Sequence, residues 1–148
     1  LLEFLEGDIF ADDAEAIVNP VNCVGVMGKG LALQFKRRLP VNYGQYRLAC
    51  EAGEVKPGEM HVSENEGGYR WIVNFPTKRH YRSKSRIEDV RSGLTGLRAL
   101  IERHEIGSIA VPALGSGLGG LEWSVVRGDI AEALADLDHT AVRVYEPR

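Results

Sequence analysis

At 148 residues, with 44% hydrophobic and 26% charged content, the chain has the size and composition of one soluble globular domain. A net charge of −3 argues against indiscriminate nucleic-acid binding through a global positive field. Two cysteines (Cys23, Cys50) make no disulfide framework and fit a reducing compartment, and no apolar run approaches the roughly 18 residues of a membrane span.

These features predict a cytoplasmic protein with no membrane partner. The first residue is Leu1 rather than Met, and the sequence stops at Arg148 just past a strand-like segment. We therefore expect residues 1–148 to be one domain from the N-terminal part of a longer protein.

In chain order, Leu1 to Leu5 and Ala16 to Asn19 read as short strands, the second (AIVN) buried and central. A glycine-rich loop follows, then Leu31, Leu33 and Phe35 with Lys36, Arg37 and Arg38, which predict a helix ending at Pro40. A second helix is expected over Tyr43 to Glu51. Glu59 to Ser63 and Tyr69 to Phe75 flank ENEGG and predict a hairpin. In Arg86 to His104, Ile87, Val90, Leu94, Leu97 and Ile101 form one apolar stripe, with Ser85 and Glu88 as a capping box. Ser108 to Pro112 reads as a strand. A helix from about Glu122 turns Val126, Ile130, Ala133 and Leu137 inward, and Ala141 to Tyr145 is the last strand.

This alternation predicts an α/β fold, a three-layer α/β/α sandwich with a mixed, mostly parallel central sheet and one antiparallel hairpin. Ligands of such sheets bind outside the carboxyl ends of the strands. Both glycine loops, Gly25 to Gly30 and Gly115 to Gly120, follow strands, so both are expected at that rim.

Glycine rims expose backbone N–H groups and suit phosphate. A Walker A loop is excluded, because Gly25 and Gly28 stand too close and Gly30 follows Lys29 where a hydroxyl is needed. Gly115, Gly117 and Gly120 match G-x-G-x-x-G between a strand and a helix, with Glu146 ending the next strand. A dinucleotide fold, however, opens with this unit and needs further strands after it. A third reading places both loops on one ligand.

Several segments then become informative together: GDIF at Gly7 to Phe10, VNPVN at Val18 to Asn22, GVMGKGLALQFK, PTK at Pro76 to Lys78, and PALGSGLGGLEW at Pro112 to Trp123. In this order, across nearly the whole chain, they resemble the macrodomain, the ADP-ribose-binding fold. GVMGKG with PTK is similar to the branch that holds terminal ADP-ribose protein glycohydrolases and DNA ADP-ribosyl glycohydrolase antitoxins. The basic run after Lys78 and the GSGLGG form favour the DNA-directed members.

The resemblance implies that the Asp8 carboxylate accepts from the adenine amine and that the Ile9 N–H serves a ring nitrogen; a turn or cap aspartate is the alternative. Tyr145 would stack on the base, although a tyrosine at a strand end is also ordinary core edge. Asn22 would hydrogen-bond the distal ribose, or else simply tolerate a tight turn. Gly28 and Gly30 would pass close to that ribose, and Leu31 would also contact the ADP-ribose. Ser116, Gly117, Leu118, Gly119 and Gly120 would wrap the diphosphate. Lys29 is expected to point to solvent.

Lys78 is the expected catalytic residue, with Asn22 as orienter. A neutral amine could attack the ribose C1 and open it to a Schiff base; a charged one could stabilise negative charge on the leaving base. Protein-directed relatives carry an aspartate in the second loop where this chain has Gly119, a departure that fits DNA better. In KRHYRSKSR (Lys78 to Arg86), five of nine residues are Lys or Arg. The run is either a solvated loop or a strand contact, and Arg79, His80, Tyr81 and Arg82 are the candidates for binding DNA.

The four histidines (His61, His80, His104, His139) lack metal-ligand spacing, so no zinc is expected. Cys23 has no histidine near it in sequence and is expected to pack rather than react.

The combined expectation is a glycohydrolase that removes ADP-ribose from a nucleobase, thymidine in single-stranded DNA, with no cofactor. Such a protein would oppose a DNA ADP-ribosyltransferase toxin bound through a segment outside this chain. The alternatives are a glycohydrolase for ester-linked ADP-ribose on protein and a non-catalytic ADP-ribose reader.

Overall fold

The computed structural model describes residues 1–148. Its elements are β1 (Leu2–Leu5), β2 (Ala16–Val21), α1 (Gly30–Arg38), α2 (Pro40–Glu51), β3 (His61–Glu66), β4 (Tyr69–Pro76), α3 (Ile87–Arg103), β5 (Ser108–Val111), α4 (Trp123–Leu134) and β6 (Ala141–Tyr145). The strands form one sheet in the order β1-β6-β5-β2-β4-β3. Every pairing is parallel except β3 with β4.

Alternation along β2 assigns the layers. Ala16 and Val18 face a core built with α3 and α4, including Val90, Leu94, Leu97, Val126 and Ile130. Ile17 and Val21 face the opposite core, where Phe35 of α1 and Tyr46 of α2 pack. Period-two side-chain alternation in a central strand thus supplies both faces of a three-layer sandwich.

Three expectations change. The hairpin turn is two residues, not five: Gly67 (φ +61°) and Gly68 (φ +87°) both take left-handed backbone, and pairing runs from His61↔Asn74 to Glu66↔Tyr69. Adjacent glycines allow that tight turn, so β3 extends to Glu66.

The second helix starts at Pro40, three residues earlier than predicted. Proline fits the first helical position, and the Glu66 carboxylate receives the Val41 and Asn42 N–H groups at 3.0 and 2.8 Å.

The capping box does not form. The residue that caps α3 is Arg86, without a side-chain bond. The Ser85 N–H instead donates to the Gly119 carbonyl at 2.9 Å, which draws that residue toward the second glycine loop.

Candidate functional site

β2 and β4 are paired in parallel up to Val21↔Pro76, so the chain leaves both strands side by side. Asn22 and Cys23 exit one, Thr77 and Lys78 the other. The Thr77 N–H donates to the Val21 carbonyl at 2.8 Å, and the Cys23 thiol meets the Lys78 carbonyl at 3.5 Å. The two residues predicted to carry the chemistry are therefore neighbours at the carboxyl rim of the sheet.

Asn22 is 7% exposed, and its amide is mostly committed to the loop. Its Oδ1 accepts from the Val24 and Val26 N–H groups at 3.0 and 3.3 Å and from the Tyr46 hydroxyl at 2.8 Å. Its Nδ2 donates to the Val26 carbonyl at 2.7 Å. One amide N–H remains for a ligand, so Asn22 can meet an acceptor there but not a donor.

Tyr46 was not marked by the sequence; it lies 24 positions away on α2. Burial pushes its phenol well above the ordinary range, with the nearby Cys50 adding to the effect. The hydroxyl therefore stays protonated and available to donate.

Below the loop, three fully buried asparagines form a connected network. Asn19 Nδ2 donates to Asn74 Oδ1 at 3.1 Å and approaches Met27 Sδ at 3.7 Å. Asn42 and Asn74 exchange amide bonds at 3.1 and 2.9 Å, and Asn74 meets His61 Nδ1 at 3.0 Å. An asparagine at the same register position in each of two apolar strands (Asn19↔Asn74) was the available sequence signal.

A cleft of about 440 Å³ opens beside this rim, lined by Gly7, Asp8, Ile9, Leu31 and Tyr145 among others. Gly7 to Ile9 follow β1, Pro112 and Ala113 follow β5, and Tyr145 ends β6, so the cleft sits at carboxyl strand ends as expected.

Asp8 caps a short 3-10 turn, accepting from the Phe10 N–H at 2.9 Å through Oδ1, which leaves Oδ2 for another donor. Tyr145 is fixed by its hydroxyl, which donates to Asp12 Oδ2 at 2.6 Å. Burial, then that bond, pushes its phenol up to about 12. Desolvation pushes the Asp12 carboxyl up, but hydrogen bonds from Arg143, Tyr145 and Ala14 outweigh it and hold the group low.

Lys78, Asn22 and the second loop lie outside that cleft's lining, so the predicted site has two parts. The loops nonetheless meet. A Cβ placed on Gly30 (φ +58°) would stand 3.2 Å from Leu118 Cδ1. Within the second loop, the N–H groups of Ser116, Gly119 and Gly120 already serve turn carbonyls. Those of Gly117 and Leu118 remain, which narrows the diphosphate prediction from five residues to two backbone donors. α1 begins at Gly30 after an uncapped Lys29, which is exposed as expected, so its first-turn N–H groups are also open. Gly28 is exposed on the same loop.

The basic segment is only partly free. Arg79 makes a two-point ion pair with buried Asp89, at 3.0 and 3.1 Å, which ties its guanidinium to α3. A buried carboxylate needs such a partner. His80 and Tyr81 stack at 4.3 Å between ring centres, and the Arg82 guanidinium lies 5.4 Å over Tyr81. The three form an exposed shelf. His80 Nδ1 accepts from the Arg82 N–H at 3.1 Å, leaving Nε2 open. Burial pushes the Cys23 thiol up to about 11, with Cys50 and Asp89 adding, so it stays protonated. No three His, Cys, Asp or Glu side chains converge as a metal site.

This two-part rim can be set beside known proteins. A sequence model of the Macro domain family matches residues 18–128. The chain belongs to the Macro domain family.

A Thermus aquaticus protein named DNA ADP-ribosyl glycohydrolase is 48% identical to this macrodomain over 99% of the chain and 41% of its own length. The macrodomain of Mycobacterium tuberculosis DarG superposes with a TM-score of 0.97 at 43% identity, covering 100% of this chain and 99% of that one. A structure titled Thermosipho africanus DarTG in complex with ADP-ribose matches at a TM-score of 0.91 and 36% identity, over 99% of this chain and 41% of that one. A protein of that organism is named as a DNA ADP-ribosyl transferase–DNA ADP-ribosyl glycohydrolase fusion. This macrodomain thus spans about two fifths of the length of the curated relatives it matches. No helix is long and apolar enough to cross a membrane.

Proposed function

We propose that this macrodomain is a DNA ADP-ribosyl glycohydrolase. It removes ADP-ribose from a nucleobase, thymidine in single-stranded DNA, and opposes a DNA ADP-ribosyltransferase toxin in the cytoplasm. The observation that carries the reading is the adjacency of Lys78 and Asn22 at the ends of two paired strands. They stand beside the glycine loops of a chain that is 48% identical to a protein named DNA ADP-ribosyl glycohydrolase.

In this reading the adenosine occupies the cleft, with Asp8 Oδ2 and the Ile9 N–H on the base edge and Tyr145 against its face. The diphosphate meets the Gly117 and Leu118 N–H groups, together with those of the first turn of α1. The distal ribose reaches the gap between Asn22, Gly28 and Lys78. Asn22 donates its remaining amide proton to a ribose oxygen.

The reaction breaks the bond between the ribose C1 and the base nitrogen. Water supplies a hydroxyl to C1 and a proton to the base, giving free ADP-ribose and unmodified DNA. Lys78 acts on the oxocarbenium-like sugar or on the departing base. The exposed His80–Tyr81–Arg82 shelf supports stacking of a neighbouring base, and Lys84 or Arg86 a phosphate. No cofactor is needed.

The test is incubation of an oligonucleotide carrying ADP-ribose on one thymidine with wild type and Lys78→Ala. Wild type is expected to release ADP-ribose, and the variant to fall by at least about 100-fold with ADP-ribose binding retained. Unchanged substrate with wild type overturns the enzymatic reading and leaves a reader. Faster release from ester-modified protein overturns the DNA substrate. Borohydride trapping followed by intact mass reads whether Lys78 forms a covalent adduct.

A further inference from the structure

The second glycine loop contains four glycines, and they are there for different reasons. Gly115, Gly117 and Gly120 have φ of +72°, +65° and +81°, a backbone that side-chain-bearing residues rarely adopt. Gly119 does not; its backbone would accept any residue. What a side chain at 119 would meet is Ser85: a Cβ there would stand 2.5 Å from Ser85 Oγ and 3.1 Å from Ser85 Cβ.

Rotating the hydroxyl away removes only the first of these contacts. Moving the two segments apart breaks the 2.9 Å bond from the Ser85 N–H to the Gly119 carbonyl. Ser85 is itself buried, and its hydroxyl has no hydrogen-bond partner. An alanine at 85 would pack there without that unpaired group, so the hydroxyl is not explained by local stability.

We infer that Ser85 is a positioning residue that fixes the second glycine loop against the segment bearing Lys78, and that Gly119 is glycine because Ser85 fills its side-chain space. The segment from Lys78 to Ser85 is pinned at both ends. Lys78 is held beside β2 through the neighbouring Thr77 N–H, and Ser85 is wedged under the loop. Lys84 runs alongside the same loop, its Cδ 3.6 Å from where a Cβ on Gly120 would be. The other side of the loop meets α1 through Leu118 and Gly30. Ser85 therefore sets how far the Gly117 and Leu118 N–H groups stand from the amine at the far end of its own segment.

This rests on the proposed ADP-ribose site and is tested by compensation. Gly119→Ala is expected to weaken ADP-ribose binding, read by calorimetry, by at least about tenfold. Adding Ser85→Gly, which empties the space, is expected to restore binding to within about threefold of wild type. Adding Ser85→Ala instead removes the contact at 2.5 Å but keeps the one at 3.1 Å, so its rescue is expected to be partial. On modified oligonucleotide the same order is expected in kcat/KM, with KM carrying the change.

Wild-type affinity in Gly119→Ala overturns the inference, and so does a double variant that binds no better than Gly119→Ala. A lowered thermal midpoint with unchanged affinity also overturns it, because the contact is then only packing. If wild type gives no heat with ADP-ribose, the proposed function fails and takes the positioning role of Ser85 with it; heat in wild type with no rescue in Ser85→Gly/Gly119→Ala overturns the inference alone.

Discussion

The loop from Asn22 to Gly30 is shaped from within by one side chain, whereas the loop from Gly115 to Gly120 is shaped by its backbone and by a neighbour. In the first, the Asn22 amide bridges Val24 and Val26 and is itself held by Tyr46. In the second, three left-handed glycines and internal turn bonds set the path, and Ser85 bounds it from outside. A loop held by a side chain is sensitive to what is removed. A loop held by backbone is sensitive to what is added.

The sharpest way to break the comparison is Asn22→Ala. It strips a buried hub of four hydrogen bonds and should cost about 2–4 kcal/mol in urea unfolding, with loss of measurable hydrolysis. A stable, active Asn22→Ala would mean that the first loop is also backbone-built.

Gly117→Ala adds one methyl at φ +65° and should cost about 1–2 kcal/mol, again by urea titration. A smaller cost would mean that the second loop relaxes freely. Tyr46→Phe removes one donor from the hub and should cost about 1 kcal/mol. Its ADP-ribose affinity, read by calorimetry, should fall as well, because the loop above it loosens.

A pH series sharpens the contrast on the first-loop side. Burial holds the His61 imidazole below its ordinary 6.5, only partly offset by Glu54. Below that value the unfolded chain takes up a proton that the folded one resists. Stability is therefore full above about pH 6.5 and falls as the pH is lowered through the window beneath it. The thermal midpoint should drop between pH 7 and pH 5.5, and the drop should shrink in His61→Gln.

Ser116→Ala is expected to do least, within about 0.5 kcal/mol of wild type, because its buried hydroxyl has no partner to lose. A larger cost would move the second loop into the side-chain-held class.

Much of this was legible in the sequence because it is local. The stripe from Ile87 to Ile101 is one face of α3, and AVRVY is β6 to the residue. The glycine loops, Lys78 and Asn22 were legible as strand-end positions, and parallel pairing then made neighbours of the last two. The misses share a physical cause, which is competition from a distant partner. Ser85 looked like a cap because its residue type and spacing fit one, but its N–H is claimed by Gly119, 34 positions on. Arg79 looked like a free phosphate contact, but buried Asp89 requires its charge. Tyr46 lay unmarked within the second predicted helix. Only the folded chain brings its hydroxyl to Asn22.

The ladder that ends at Val21↔Pro76 acts as a ruler for the chemistry. Side chains alternate across a strand, so a single residue inserted or deleted within either β2 or β4 would shift Lys78 by one position relative to the Asn22 loop and turn core-facing side chains to the other face. Length in these two segments is therefore constrained more tightly than side-chain identity. Substitutions at Ile17, Val18, Ile72 or Val73 that keep apolar bulk should be absorbed by repacking, while a change of register would move Lys78 from its place beside the Asn22 loop.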